Sequence, residues 1–211
     1  MEKKMDKVEI IAGKNNHFIG AYMIKDNTII DELINFYENN PQKVKKGTTV
    51  SGLDKNIKFS FDLSINPKKL QEEEYSCVKK YMQQFQNCWK LYLDEWKESS
   101  KDWPKLTIGT FNIQKYPVGG HFSKWHSERT SLDTSHRQFA WMTFLNDQEV
   151  GGETEFYFYD ITVKPKKGLT LIWPSDWTHT HRGNIVKSEK YIITGWIDLY
   201  PHEEKHKNVI I

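Results

Sequence analysis

After Pro104 the chain is cut at short intervals by glycine- and proline-bearing turns, and that cadence limits the possible folds more than any other feature. PVGG at 117–120, NDQEVGG at 146–152, KPKKG at 164–168 and HRGN at 181–184 separate the β-prone runs LTIGTFNIQKY, RQFAWMTFL, TEFYFYDITV, GLTLIW and KYIITGWIDLY. A single short strand cannot bury an apolar face. Several paired antiparallel make a sandwich or jelly roll. Eight tryptophans, ten tyrosines and eleven phenylalanines suit packed sheets better than a helical bundle.

The first half reads differently. Residues 8–11 and 18–24 are short apolar or alternating runs around the turn-prone GKNN at 13–16, and they predict two opening strands. Asp26 or Asn27 can cap a helix through Phe36, since Ile29, Ile30, Leu33, Ile34 and Phe36 recur at helical spacing before NNP. Residues 43–64 are polar and contain glycine, which predicts a long surface loop. From Pro67, the apolar positions Leu70, Tyr75, Val78, Tyr81, Met82, Phe85, Trp89 and Tyr92 predict a helix running to about Trp96 and backing a sheet. The expected class is mainly β, within α+β, with the helices packed outside the strands. No internal repeat or low-complexity tract is present, and 211 residues suffice for one domain with a substantial core.

Thirty basic against 28 acidic residues leave a formal net charge of +2, too small a field to favour nucleic acid or an anionic membrane as a partner. Cys77 and Cys88 are too far apart along one predicted helix to bridge, so no disulfide framework is expected and a reducing cytoplasmic setting suits them. The start MEKKMDKVEII has no apolar run of signal-peptide length, and no stretch approaches the roughly 20 apolar residues of a membrane span. The expectation is a soluble cytoplasmic protein.

The chemistry concentrates in KWHSERTSLDTSHRQF. On extended chain, His126 and Glu128 project to one side and Ser127 to the other, so an imidazole and a carboxylate converge. Alone, such a triplet is more often a pair of solvated polar side chains. WTHTHRGNIV adds His179 and His181, either of which could complete a set of two histidines and one carboxylate, the facial arrangement of non-haem Fe(II) oxygenases. In KYIITGW, Lys190, Ile192, Thr194 and Trp196 share one strand face, and Tyr191, Ile193 and Ile197 share the other. An inward Lys190 near a metal calls for an acidic ligand such as a dicarboxylate, because a buried ammonium is costly without an anion. An edge strand would let the same lysine reach water. His202 and His206 in HEEKHK are spaced i, i+4 but lack further ligands, and read as a solvated tail.

In this order and spacing, the segment from Tyr116 to Trp196 resembles the prolyl 4-hydroxylase-like branch of the Fe(II)- and 2-oxoglutarate-dependent dioxygenases. The motifs are YPVGGHFSKWHSE, RQFAWMTFLN with VGGETEF, VKPKKGLTLIW, and HRGNIVKSEKYIITGW. The resemblance implies a double-stranded β-helix (jelly roll), with 1–104 supplying strands and supporting helices and 105–200 the catalytic core of a single domain, 1–211. It implies that His126, Glu128 and His181 hold the iron, with His179 as the fallback to His181. Lys190 would pair with the distal carboxylate of 2-oxoglutarate, Tyr116 would hydrogen-bond near it, Thr194 and Trp196 would line the pocket, and Arg137 matches an arginine that faces substrate in oxygen-sensing relatives. The chain departs from the family in three places. Glu128 stands where aspartate is usual, Phe144 where some relatives carry a tyrosine hydroxyl, and Ile185 where proline is usual. The first leaves open whether metal preference changes, and the second shifts cofactor binding onto Lys190 or another hydroxyl such as Thr143.

The implied activity is hydroxylation of a C–H bond, with Fe(II), 2-oxoglutarate and O2 as cofactors and co-substrates and ascorbate as a stimulant. The implied partner is a protein or peptide presenting a prolyl residue, and the polar segment TSLDTS at 130–135 is expected to cover substrate. Hydroxylation of a small molecule such as a free amino acid is the nearest alternative. A jelly-roll binding module without catalysis, and oxidative demethylation of nucleic acid, are the readings from other classes, the last disfavoured by the missing basic stripe. The oligomeric state is not legible in the sequence.

Overall fold

Alternating side chains on β-strands need two apolar layers to bury both faces of a sheet, and the molecule supplies one layer on each side of its larger sheet. The computed structural model describes residues 6–8, 17–49, 52–99 and 106–199. Its elements are β1 (Asp6–Lys7), β2 (Gly20–Met23), α1 (Asn27–Glu38), β3 (Val44–Lys46), β4 (Lys58–Phe59), β5 (Phe61–Ile65), α2 (Ser76–Glu95), β6 (Leu106–Ile108), β7 (Phe111–Tyr116) and β8 (His121–His126). They continue with β9 (Arg137–Phe144), β10 (Thr154–Phe156), β11 (Ile161–Val163), β12 (Leu169–Pro174), β13 (His181–Gly183) and β14 (Lys190–Leu199), with short 3-10 turns between. Among the described residues the strands form two antiparallel sheets. The larger runs β1-β2-β12-β9-β14-β7-β5-β3 with β6 alongside β14, and the smaller runs β11-β10-β13-β8-β4.

The alternation along β14 shows how the layers arise. Tyr191, Ile193 and Ile197 enter the core shared with the helices, while Ile192 enters the core between the two sheets, against Phe156 and Ile161 of the smaller sheet. β9 repeats the pattern, with Phe139 and Trp141 towards the helices and Ala140, Met142 and Phe144 towards the sandwich interior. This is the expected jelly roll with helices outside. α2 buries Val78, Tyr81, Met82, Phe85, Cys88, Trp89 and Tyr92 on one stripe, and its Phe85 and Trp89 rings meet Trp141 and Phe139 at 4.5 and 5.1 Å. Each such fully buried side chain contributes about 1.5–3 kcal/mol. α1 begins where the Asp26 carboxylate accepts from the backbone N–H groups of Thr28 and Ile29, as the cap signal requires.

Three expectations change. The predicted loop over 43–64 holds β3, β4 and β5, which pair with β5, β8 and β7 respectively. FDLSI does alternate, but its lysine-, glycine- and asparagine-rich flanks concealed it. The predicted long helix begins at Ser76 rather than Pro67, because Pro67–Gln71 and Glu73–Tyr75 form separate 3-10 turns, the first with Pro67 in its opening position. Thr143 does not face the cavity. Its hydroxyl lies between those of Tyr81 and Thr170, at 2.6 and 2.7 Å, on the helix side of β9. Since β2 to β5 lie within the same sheets as the strands after 105, the two halves of the chain are not separate layers. Of the predicted opening strand, residues 9–11 lie outside the described residues, as do the 13–16 turn, His202 and His206. Neither Cys77 nor Cys88 is in a disulfide. Among the described residues no helix is long and apolar enough to cross a membrane.

Candidate metal centre and cofactor cavity

His126 ends β8 and His181 opens β13, and the antiparallel pairing of these strands sets the two residues opposite one another. Their ring centroids are 4.4 Å apart, with Phe122 stacked on His126 and Phe156 and Trp173 around His181. Glu128 lies two residues past the end of β8, at a bend where its N–H donates to Ser175 O, just beyond the end of β12. Its Oε1 is 3.8 Å from His126 Nε2 and 3.3 Å from His181 Nε2. One donor atom from each of the three residues falls within 4.8 Å of the others, the only such cluster among the described residues.

Both imidazoles are oriented from behind. His126 Nδ1 donates to Lys124 O at 2.8 Å and His181 Nδ1 to His179 O at 2.9 Å, which turns each Nε2 into the cluster. Burial, then the neighbouring His181, push the His126 imidazole down to about 4. Burial would raise the Glu128 carboxyl, but the His181 hydrogen bond, both imidazoles and the Trp196 N–H outweigh it and hold it down to about 2. At neutral pH His126 is therefore a neutral imidazole and Glu128 an anionic carboxylate, the donor states a divalent cation requires of them.

His179 has another fate. Its Nε2 lies 2.9 Å from His17 O and its Nδ1 3.0 Å from Thr178 Oγ1, and burial pushes its imidazole down to about 4. With both nitrogens engaged, it sits outside the cluster as a packing residue, in the turn that precedes β13.

Lys190 opens β14 opposite Tyr116 of β7 and is 3% exposed. Its ammonium donates to Gly152 O at 2.9 Å and lies 4.9 Å from the Tyr116 ring and 5.8 Å from that of Phe144. Burial pushes it down to about 8, with only the more distant Glu153 opposing. The carbonyl partner depends on glycine, because Gly151 and Gly152 both have positive φ (79° and 73°), and a Cβ on Gly151 would sit 2.4 Å from Ile185 O. Tyr116 points its hydroxyl to Gln114 Oε1 at 2.9 Å, and Thr194 donates to Trp141 O at 2.8 Å.

A cavity of about 850 Å³ joins these parts. Its walls include His126, Glu128, His181, Lys190, Tyr116, Thr194, Trp196 and Arg137, so the expected iron ligands and the residues expected to meet co-substrate or substrate border one space, while the fallback His179 and the alternative hydroxyl of Thr143 do not. Trp196 Nε1 donates to Glu128 Oε2 at 2.8 Å, and the Arg137 guanidinium lies 3.6 Å from the Trp196 ring centre. Arg137 therefore stands beside the cluster rather than on an outer surface. Sequence reasoning missed a further wall. Lys58 pairs with Asp62 at 2.7 Å, Gln114 donates to the same carboxylate oxygen at 3.1 Å, and Lys58 lies 5.6 Å from the Phe122 ring. Lys58 and Asp62 lie in the stretch read as loop, and the alternation in KFSFDLSI was the available signal. Of the 130–135 segment, Thr130 borders the cavity and Leu132 is 92% exposed.

With that geometry established, similarity to known proteins becomes informative. Residues 111–198 match the model of the 2OG-Fe(II) oxygenase superfamily. This part of the chain is similar to that superfamily. The matched segment runs from β7 to β14 and contains all three cluster residues and Lys190. Among curated proteins, the chain is similar to prolyl 4-hydroxylase 13 of Arabidopsis thaliana, at 31% identity over 44% of this chain and 44% of that protein. Probable prolyl 4-hydroxylase 9 of the same plant is 30% identical over 48% of this chain and 44% of that one. The matched region spans under half the length of these relatives. The prolyl-hydroxylase resemblance read from the motifs agrees with both. Among solved structures, the fold superposes on a Trichoplax adhaerens prolyl hydroxylase in complex with a hypoxia-inducible-factor peptide fragment, with a TM-score of 0.69, 16% identity, and 88% and 85% of the two chains covered. A Pseudomonas putida prolyl-4-hydroxylase superposes with a TM-score of 0.65, 15% identity, and 88% and 95% coverage. At these identities the superpositions establish the jelly-roll fold.

Proposed function

We propose that the protein is an Fe(II)- and 2-oxoglutarate-dependent hydroxylase of prolyl residues in a protein or peptide. The observation that carries this reading is one cavity holding both a His126–Glu128–His181 cluster and a buried ammonium, Lys190, with no carboxylate of the described residues within bonding distance. The donor set suits Fe(II), with two Nε2 atoms and one carboxylate oxygen on one side and the cavity on the other. The ammonium suits the distal carboxylate of 2-oxoglutarate, which would supply the anion that burial otherwise denies it.

When bound, Fe(II), 2-oxoglutarate and O2 couple decarboxylation of the keto acid to succinate and CO2 with transfer of one oxygen atom into a substrate C–H bond. The protein's part is positional. His126, Glu128 and His181 fix three donors in the wall of the sandwich, and the backbone carbonyls behind the imidazoles prevent them from rotating. Lys190, steered by Gly152 O and walled by Tyr116 and Phe144, anchors the far end of the co-substrate. Ile192, Met142 and Trp173 line the cavity with apolar surface that excludes water. The prolyl assignment rests on the names of the curated relatives and on the order of the motifs. Incubation with Fe(II) and 2-oxoglutarate without oxygen, followed by air, is expected to yield succinate, increased by a proline-containing peptide and abolished by His126→Ala. No succinate under any peptide condition, or undiminished turnover in His126→Ala, overturns the assignment.

A further inference from the structure

Glu128 has one methylene more than the aspartate usual at this place, and a longer carboxylate can swing both oxygens into the cluster. The structure opposes that swing. Trp196 Nε1 donates to Oε2 at 2.8 Å, Arg137 Nη1 lies 3.8 Å from the same oxygen, and Arg137 Nη1 also donates to the Glu128 main-chain carbonyl at 3.2 Å. Arg137 in turn covers the Trp196 ring at 3.6 Å, within range of a cation–π contact. Oε1, by contrast, faces the Nε2 atoms of His126 and His181. The two oxygens are thus assigned opposite tasks before any cation arrives.

We infer that Trp196 and Arg137 are positioning residues that make Glu128 a one-oxygen metal ligand, so that the longer side chain serves where a shorter one is usual. This rests on the metal reading of the cluster and deepens it. It also gives Arg137 a task other than contact with substrate, and Trp196 one beyond lining the pocket. β14 and β9 are paired, with Trp196 opposite Ala140 and Asp198 opposite Arg137, so the indole and the guanidinium arrive on the same side of the sheet from neighbouring strands. The backbone bond from Arg137 to Glu128 closes the loop around the carboxylate.

The test is Mn(II) binding to the full chain without co-substrate, read by titration calorimetry and by the infrared carboxylate stretches. Trp196→Phe keeps an aromatic ring beside Arg137 and removes the indole N–H. It is expected to weaken Mn(II) binding about 10- to 100-fold, the usual loss when a group orienting a ligand is removed. The infrared difference spectrum should change from a one-oxygen to a two-oxygen pattern. In a Glu128→Ala background the same substitution should have no further effect on Mn(II). Wild-type Mn(II) affinity and spectrum in Trp196→Phe, or an equal loss in the Glu128→Ala background, overturns the inference. Arg137→Gln carries the test independently if Trp196→Phe does not fold. Weakened Mn(II) binding supports the inference, and weakened peptide binding with unchanged Mn(II) affinity overturns it. A wild-type chain that takes up no Mn(II) refutes the metal reading itself, which separates that failure from this one.

Discussion

At Lys190 the fold holds an ammonium between two aromatic rings with a single carbonyl for company, and its consequences can be worked out in sign. The ordinary value of 10.5 falls to about 8 on burial. Between those two values the unfolded chain binds a proton that the folded chain does not, so stability of the ligand-free protein should rise with pH across that window and lie lowest below it. Lys190→Met should flatten this rise. It should leave the ligand-free protein as stable as before or more so, by up to about 3 kcal/mol, because an incompletely matched buried charge is replaced by apolar volume. The same change should weaken 2-oxoglutarate binding roughly 100-fold, since removing one partner of a buried charged pair costs about 2–5 kcal/mol. In the wild type that affinity should decline as pH rises beyond about 8. Denaturant melts and calorimetry from pH 7 to about 10, outside the range where the cluster carboxylate titrates, check both. Retained affinity in Lys190→Met would remove the lysine from the co-substrate site. Lys190 was legible because strand alternation is a period of two, whereas the Trp196–Glu128 bond joins β14 to the end of β8 and has no local signature.

Among the elements, α2 and β9 bind each other through rings and through one buried polar chain. Phe85→Ala should cost about 3–5 kcal/mol of unfolding free energy, the range for deleting a buried phenyl ring. Tyr81→Phe removes a hydroxyl but leaves Thr143 and Thr170 bonded to each other at 2.7 Å, so its cost should be near 1 kcal/mol. Thermal or urea unfolding distinguishes them, and equal losses would contradict the packing described. These helices were readable because α1 and α2 repeat apolar residues on one stripe, and β9, β12 and β14 because they alternate between two filled layers. β3 was not, since an edge strand such as Val44–Lys46 leaves much of its surface in solvent and needs little apolar content, and β5 was hidden by its polar flanks. The choice of His181 over His179 came from motif spacing. Its physical reason is the turn ahead of β13, which sends His179 back to His17 O while His181 joins the ladder with β8.

For the molecule as a whole, the first half is part of the sheets that carry the site. β5 and β3 extend the larger sheet beyond β7, β2 covers β12, and β4 completes the smaller sheet beside β8. A fragment starting at 105 should therefore fail to unfold cooperatively or to bind Mn(II), even though the family match begins at 111. A stable, metal-binding fragment would contradict this. Residues 111–198 were recognisable because motif order survives there, while the supporting strands obey only loose rules of burial and pairing and so left little trace. The central claim is that one cavity binds a divalent cation and a keto-dicarboxylate together. Calorimetric titration of 2-oxoglutarate into chelator-stripped and Mn(II)-loaded protein tests it most directly. One equivalent should bind tightly only with Mn(II), be lost with the metal in His181→Ala, and be lost without loss of the metal in Lys190→Met. Equal binding with and without Mn(II), or binding indifferent to Lys190, would contradict it.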